Sequence, residues 1–137
     1  MGVWEKIGGL FGAGGKPEHL RRGELGELAA KKHLKKKRLK FLTANYRVRE
    51  GEIDLVFRDG KVLVFVEVKT RSGEDWTRPA DAVDLSKQRK LTRAANAYLR
   101  SLNYPEVHYR FDIVEVLLKA GKVSDVRHLP DAFPPAD

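Results

Sequence analysis

The chain has 137 residues, with 27 Lys and Arg against 19 Asp and Glu and a formal net charge of +8. That length fits one domain, and the positive excess points to anionic partners, nucleic acid before a membrane surface, unless it is only a solvated basic exterior. The absence of cysteine excludes disulfide frameworks and thiolate metal sites. The longest apolar run, Val62–Val66, is too short to span a bilayer, and no secretory signal pattern opens the chain, so a cytoplasmic protein without a membrane span is expected.

In chain order, residues 1–16 are rich in glycine (Gly2, Gly8, Gly9, Gly12, Gly14 and Gly15) and read as a flexible arm. Trp4, Ile7, Leu10 and Phe11 nevertheless fall at the spacing of a short docking helix. Residues 17–128 are expected to form the folded domain. A first helix is predicted over Glu18–Lys37, because Gly23, Glu27, Ala30 and Leu34 form one stripe that would face a core. Glu27 is a charge in the middle of that stripe. Either it escapes over the edge to solvent, or Gly23 and Gly26 let it approach a polar site; the second reading is adopted. The outer surface of this helix carries Lys31, Lys32, Lys35, Lys36, Lys37 and Arg38, a solvated face or a phosphate-contacting one.

A strand follows over Lys40–Val48. Two more, Gly51–Arg58 and Lys61–Thr70, flank Asp59-Gly60, a strong hairpin signal. The run Val62–Val66, apolar on both faces, marks a central strand. After a loop with Gly73 and Pro79, a second helix is predicted over Asp84–Ser101. It would bury Leu91, Ala94, Ala95, Tyr98 and Leu99, leaving Lys87, Lys90 and Arg93 for nucleic-acid backbone near its start. Strands near Tyr109–Leu118 and Lys122–Arg127 flank Ala120-Gly121. Residues 129–137 hold three prolines and are expected to be an irregular tail. The element order is α-β-β-β-α-β-β.

The chemistry concentrates on the hairpin, in Gly51-Glu52-Ile53-Asp54 and Glu67-Val68-Lys69. Strand alternation puts Glu52 with Asp54 and Glu67 with Lys69. A turn on Asp59-Gly60 pairs Arg58 with Lys61, sets Glu52 opposite Glu67, and gathers all four charges on one face. Asp54 and Glu67 are then diagonal neighbours, roughly 7–8 Å apart, a separation at which two carboxylates can grip one cation. Acidic groups beside an apolar central strand are costly unless paired, and a hard divalent cation such as Mg²⁺ would give them a reason to be there. Lys69 would then orient water or stabilise developing charge. The bland alternative is a solvated edge hairpin with Lys69 as a neutralising partner.

Asp54 followed by Glu67-Val68-Lys69 resembles the PD-(D/E)xK nuclease signature. Gly23-x-x-Gly26-Glu27-x-x-Ala30, Asn45-x-Arg47, Gly51-Glu52-Ile53-Asp54-Leu55-Val56, Phe65-Val66-Glu67-Val68-Lys69-Thr70-Arg71 and Arg110-Phe111-Asp112 together resemble the bacterial YraN-like family, which is itself similar to archaeal Holliday junction resolvases. The resemblance spans roughly Gly23 to Val116. Ile53 stands where the signature has proline. The resemblance implies an α/β restriction-endonuclease-like fold, a mixed central sheet flanked by helices. It also implies that Asp54, Glu67 and Lys69 occupy nuclease catalytic positions and Glu27 that of the resolvase first-helix carboxylate.

The combined expectation is a Mg²⁺- or Mn²⁺-dependent nuclease acting on nucleic acid, DNA before RNA. Asp54, Glu67, the Val68 carbonyl and Glu27 would hold metal, and Glu52 would support them. Lys31, Lys35, Arg71, Lys87, Lys90 and Arg93 would hold phosphates. Symmetric cutting would need a homodimer. The alternatives are a nucleic-acid-binding module that does not cleave and an assembly factor acting through the arm.

Overall fold

A computed structural model describes residues 17–72 and 83–136. The arm at 1–16 and the loop around Gly73 and Pro79 lie outside the described residues. The elements are α1 (Glu18–Lys36), β1 (Lys40–Val48), β2 (Gly51–Asp59), β3 (Val62–Ser72), α2 (Leu85–Ser101), β4 (His108–Lys119) and β5 (Lys122–Phe133). They make one mixed sheet in the order β1-β2-β3-β4-β5, in which only β3 and β4 run parallel. The apolar run predicted to be central is therefore the middle strand, and the helix between β3 and β4 is the crossover that a parallel pair requires. This is the restriction-endonuclease-like α/β arrangement expected from the sequence.

The sheet is covered on both faces. On one side Ala30 and Leu34 of α1 pack against Leu55, Phe57, Val64, Val66, Val114 and Val116. On the other, Leu91, Ala94, Ala95 and Leu99 of α2 pack against Ile53, Phe65, Phe111 and Ile113. Asp84 caps α2, its Oδ1 accepting the Lys87 N–H at 2.8 Å, a bond typically worth about 1 kcal/mol.

Two features depart from the expected hairpin. The pairs Asp59↔Val62 and Leu55↔Val66 place the turn on Gly60-Lys61, one residue later than Asp59-Gly60. Gly60 takes a left-handed φ of 59°, which glycine adopts without steric penalty. The partner of every β2 residue thus moves by two, so Asp54 falls in line with Glu67 rather than diagonal to it. The second departure is a reversal of alternation at Asp54. Ile53 joins the α2-side core and Leu55 the α1-side core. In β1 the same reversal occurs at Asn45, whose φ is 52° and which is skipped between Tyr46↔Ile53 and Ala44↔Leu55. Glu52, Asp54, Glu67 and Lys69 therefore do not share one face. Alternation from Ile53 puts Glu52 on the α1 side, whereas Glu67 and Lys69 follow Phe65 on the α2 side.

The tail also differs from expectation. β5 continues through Leu129 to Phe133, and Phe133 pairs with Phe111 and stacks on it with ring centroids 5.0 Å apart. Pro130 is tolerated because β5 is an edge strand. A buried charge fastens this end. Asp112 is fully buried and accepts from Arg110 Nε at 2.9 Å, His128 Nε2 at 2.7 Å and the Asp131 N–H at 2.9 Å. Lys37 Nζ lies 3.0 Å from His128 Nδ1. An ammonium only donates, so Nδ1 accepts and Nε2 carries the proton given to Asp112.

Close helix–sheet approach brings α1 to the middle strand. A Cβ on Gly26 would overlap the Thr70 Oγ1 and lie 3.1 Å from its Cβ, while one on Gly23 would meet nothing within 4 Å. Gly26→Ala is expected to destabilise the fold by about 1–3 kcal/mol through overpacking. Gly23→Ala should stabilise it by roughly 0.5–1 kcal/mol through the helix preference of alanine. Urea melts of the two variants check this, and equal midpoints would refute the close approach.

Candidate metal and nucleic-acid site

The site lies where two strands part. The β2–β3 ladder ends at Leu55↔Val66. Beyond it β2 stays with β1 as far as Gly51, and β3 stays with β4 as far as Ser72. Their backbones diverge from Asp54 and Glu67 outward and open a fork in the sheet. Val68 N–H would face an empty ladder position there, and instead it donates to Asp54 Oδ2 at 2.8 Å. A strand N–H lies in the plane of the sheet, so the Asp54 carboxylate points along that plane into the fork. A residue's N–H and carbonyl leave an extended strand on the same side, so the Val68 carbonyl faces the fork too.

Charged groups reach this point from both faces. Glu67 is 5% exposed and has Lys69 Nζ and Lys87 Nζ each 3.6 Å from its Oε1. Its carboxyl is within hydrogen-bonding reach of Asp54. From the α1 side comes Glu27, half-buried, hydrogen-bonded to the Asn45 side chain and close enough to feel the charges of Asp54 and Glu52. Glu52 pairs with Arg47 at 3.2 Å. The left-handed turn at Asn45 thus has a use: it aims an amide at Glu27 where the sheet reverses its faces.

The electrostatics follow from this crowding. Burial and then the Asp54 charge push Glu67 up from 4.5 to about 7, against the pull of Lys87 and Lys69. Burial raises Asp54, although the Val68 N–H and Lys87 oppose it. Burial and Asp54 raise Glu27. Two adjacent carboxyls largely withdrawn from solvent hold a proton more readily than either would alone.

Among the described residues, no three His, Cys, Asp or Glu side chains are gathered closely enough to form a metal-binding group by themselves. The donors at the fork are two carboxylates and one backbone carbonyl. That set suits Mg²⁺, which keeps several waters and takes one or two carboxylates together with substrate phosphate. It does not suit a soft metal. The raised carboxyls of Asp54 and Glu67 are what such a cation would relieve.

The residues expected from sequence divide clearly. Asp54, Val68, Glu67, Lys69 and Lys87 meet at the fork, and Glu27 and Glu52 border it from the other face. Lys31 and Lys35 do not reach it. Their ammonium groups lie 3.9 and 5.6 Å from the centroid of the Phe41 ring on β1, an attraction that holds them on the outer surface. Lys90 and Arg93 are exposed on α2. Arg71 continues the line of Glu67 and Lys69 along β3, half-buried, with its Nε unpartnered. Sequence reasoning gave no role to Asn45, Arg47 or Glu115. Asn45 and Arg47 had entered only as part of the Asn45-x-Arg47 motif; the physical signal at Asn45 is the preference of asparagine for left-handed backbone.

Residues 26–116 match the uncharacterised protein family UPF0102. A UPF0102 protein of Caldanaerobacter subterraneus subsp. tengcongensis is 41% identical over 113 residues, covering 81% of this chain and 93% of the relative. One from Geobacter metallireducens is 40% identical over 111 residues, covering 81% and 90%. One from Symbiobacterium thermophilum is 49% identical over 96 residues, covering 70% and 81%. The fork, from Glu27 to Lys87, lies wholly within the matched segment.

A raised carboxyl has a definite effect on stability. The folded state holds the Glu67 proton more tightly than the unfolded state does, so this contribution is present below about pH 4.5 and is lost as pH rises through about 7. His33, lowered by burial and by Lys37, works in the opposite sense, so the informative quantity is a difference between variants. In EDTA, Glu67→Gln should gain on the parent as pH rises from 4.5 to 7, reaching on the order of 1–3 kcal/mol at neutral pH. Thermal melts across that interval measure it, and a constant difference would remove Glu67 from the coupled pair.

Proposed function

The chain belongs to the uncharacterised protein family UPF0102, and we propose that it is a metal-dependent nuclease that hydrolyses phosphodiester bonds at the fork between β2 and β3. The observation that carries the reading is the meeting of the half-buried Asp54 and the buried Glu67, with two lysines on the same Glu67 oxygen. A structural ion pair needs one cation per carboxylate and a solvated or fully hydrogen-bonded setting. Here both lysines lie on one oxygen of Glu67, and burial still raises both carboxyls, in a sheet opening bordered by Glu27 and Glu52.

Asp54 and Glu67, with the Val68 carbonyl, would hold Mg²⁺ or Mn²⁺, and Glu27 would contribute directly or through water. The cation would supply Lewis acidity at the phosphoryl oxygen and lower the pKa of bound water. Asp54 is fixed for this task by the Val68 N–H, which sets its rotamer before any ligand arrives. Lys69 extends from the strand carrying Glu67 and would orient the attacking water or offset charge developing on the phosphate. Lys87 sits in the first turn of α2, where unpaired backbone N–H groups favour an anion, and would hold the phosphate beside the fork. The net charge of +8 would draw in any nucleic acid, with affinity falling steeply as salt rises.

The substrate we propose is DNA, in keeping with the resemblance to junction resolvases, and a homodimer would allow paired cuts. No helix among the described residues is long and apolar enough to cross a membrane, and the reading places the protein in the cytoplasm with its substrate.

The test is cleavage of branched, single-stranded and duplex DNA with Mn²⁺, run beside Asp54→Asn and Lys69→Ala. Each variant is expected to lose on the order of 10²–10⁴-fold in rate. Cleavage that persists in Asp54→Asn would trace to a contaminant and sink the assignment. DNA binding without Mn²⁺ uptake or cleavage would make the chain a binding module. Glu27→Gln should melt no lower than the parent in EDTA, because crowded negative charge is relieved, and should gain less from Mn²⁺. A lower metal-free melt with a full Mn²⁺ gain would place Glu27 in the fold and outside the site.

A further inference from the structure

We propose that the apolar groove between α1 and β5 is the docking site of this chain's own N-terminal segment, residues 1–16, through Trp4, Ile7, Leu10 and Phe11.

Helix spacing makes the groove. Leu25, Leu28 and Ala29 share one stripe of α1 and face Val123 and Val126 of β5 across a channel of about 340 Å³. This is not the stripe that builds the core, because Ala30 and Leu34 turn inward to the sheet. Leu28 is 64% exposed, and Leu25 and Val123 are exposed beside it. A single exposed leucine needs no explanation, but an apolar row shared by two elements marks an interaction surface.

The surroundings narrow the choice of occupant. Lys32 and Lys36 line the same groove. A phosphate backbone would answer those lysines and leave the apolar floor in water. A second copy apposed through the same face would set lysine against lysine. The volume is also small, near the lower end of ligand pockets at roughly 300–1,000 Å³. It suits a few side chains of a short segment and not the face of a folded domain.

The chain carries such a segment beside the groove. Residues 1–16 lie outside the described residues, and their sequence sets Val3, Trp4, Ile7, Leu10 and Phe11 against only Glu5, Lys6 and Lys16 as charged side chains. Trp4, Ile7 and Phe11 recur at spacings of three and four, which gathers them on one side of a helical turn. The segment ends where Pro17 opens α1. From Phe11 to Pro17 the backbone can stretch to about 20 Å, while Leu28 lies about 15 Å along α1 from Glu18. Gly12, Gly14 and Gly15 permit the reversal that returns the segment along the helix. So short a tether holds it at roughly millimolar effective concentration, at which even a modest apolar contact is well occupied. Docked there, the segment braces the outer side of the helix whose inner side supplies Glu27.

The experiment uses the full chain with Trp76→Phe, which leaves Trp4 as the only tryptophan. Its emission and its quenching by acrylamide are read over a dilution series without nucleic acid, with circular dichroism as the check on folding. Trp4 should emit to the blue of a solvent-exposed tryptophan, independently of protein concentration. Leu28→Glu on one wall and Val123→Glu on the other should each move the emission to the red and raise quenching several-fold. Leu102→Glu, at an exposed leucine at the end of α2, should change neither. The two walls lie on different elements, so one wall variant that fails to fold leaves the other to decide. Solvent-like emission in the parent, or emission indifferent to both wall variants, would overturn the proposal. Protection that fades on dilution would assign the groove to a second copy, and protection that appears only when DNA is added would assign it to a nucleic-acid complex; either result also overturns it.

Discussion

The 2.8 Å hydrogen bond from Val68 N–H to Asp54 Oδ2 is the contact on which the site depends. A sheet ladder normally pairs backbone with backbone, and a strand that leaves its neighbour strands a row of donors and acceptors. Here one side chain takes over the first vacant ladder position. That substitution lets β2 and β3 part without leaving a buried N–H unsatisfied at the branching point. It also holds a carboxylate in the plane of the sheet, a direction that no ordinary alternating residue takes. From there it meets Glu67 on one face and approaches Glu27 on the other.

Both helices are fitted to that opening. The missing Cβ of Gly26 lets α1 lie against Thr70, one residue beyond Lys69, so that Glu27 arrives beside the fork. At the other helix, a Cβ on Gly51 would come within 2.8 Å of the Lys90 carbonyl oxygen, so the first turns of α2 rest directly on the start of β2. That contact delivers Lys87 to Glu67. The far end of the sheet has its own fastening in Asp112, which binds β4 to β5 and, through His128, to Lys37 beyond the end of α1. A helix fixed at one end by Lys37 and fitted closely at Gly26 has little freedom to carry Glu27 away.

Much of this was legible in the residues. The element order is the expected one; Asp54, Glu67 and Lys69 were singled out by charge beside an apolar strand, and Lys87 by its place near the start of the second helix. The error in the turn shifts the pairing by two and brings Asp54 in line with Glu67, but the expected sharing of one face by all four charges fails at the reversal of alternation at Asp54. The fork could not be read. It arises because β2 and β3 each keep a different neighbour, a property of the whole sheet. The reversal at Asn45 was hidden for a similar reason: asparagine permits a left-handed φ but does not require it. Helical spacing could not show that Phe41 lies beneath Lys31 and Lys35. The strand through Leu129–Phe133 was obscured by Pro130, which is harmless at an edge and whose neighbour Asp131 gives its N–H to Asp112.

Three buried carboxylates now separate by how well they are satisfied. Asp112 is enclosed by a guanidinium, an imidazole N–H and a backbone N–H, and these contacts bring it below the ordinary carboxylate range despite burial. That is the pattern of a group that stabilises the fold in its charged form. Glu67 is buried to a similar degree but has two lysines at 3.6 Å and a second carboxyl beside it, and burial wins. Glu115 has no hydrogen bond at all, and burial raises it against two arginines. A fold able to satisfy Asp112 so fully has no evident structural reason to leave two others on neighbouring strands incomplete. Incomplete satisfaction concentrated on one end and one face of a sheet is where a ligand would supply the missing partner. A cation would do so for the Asp54–Glu67 pair.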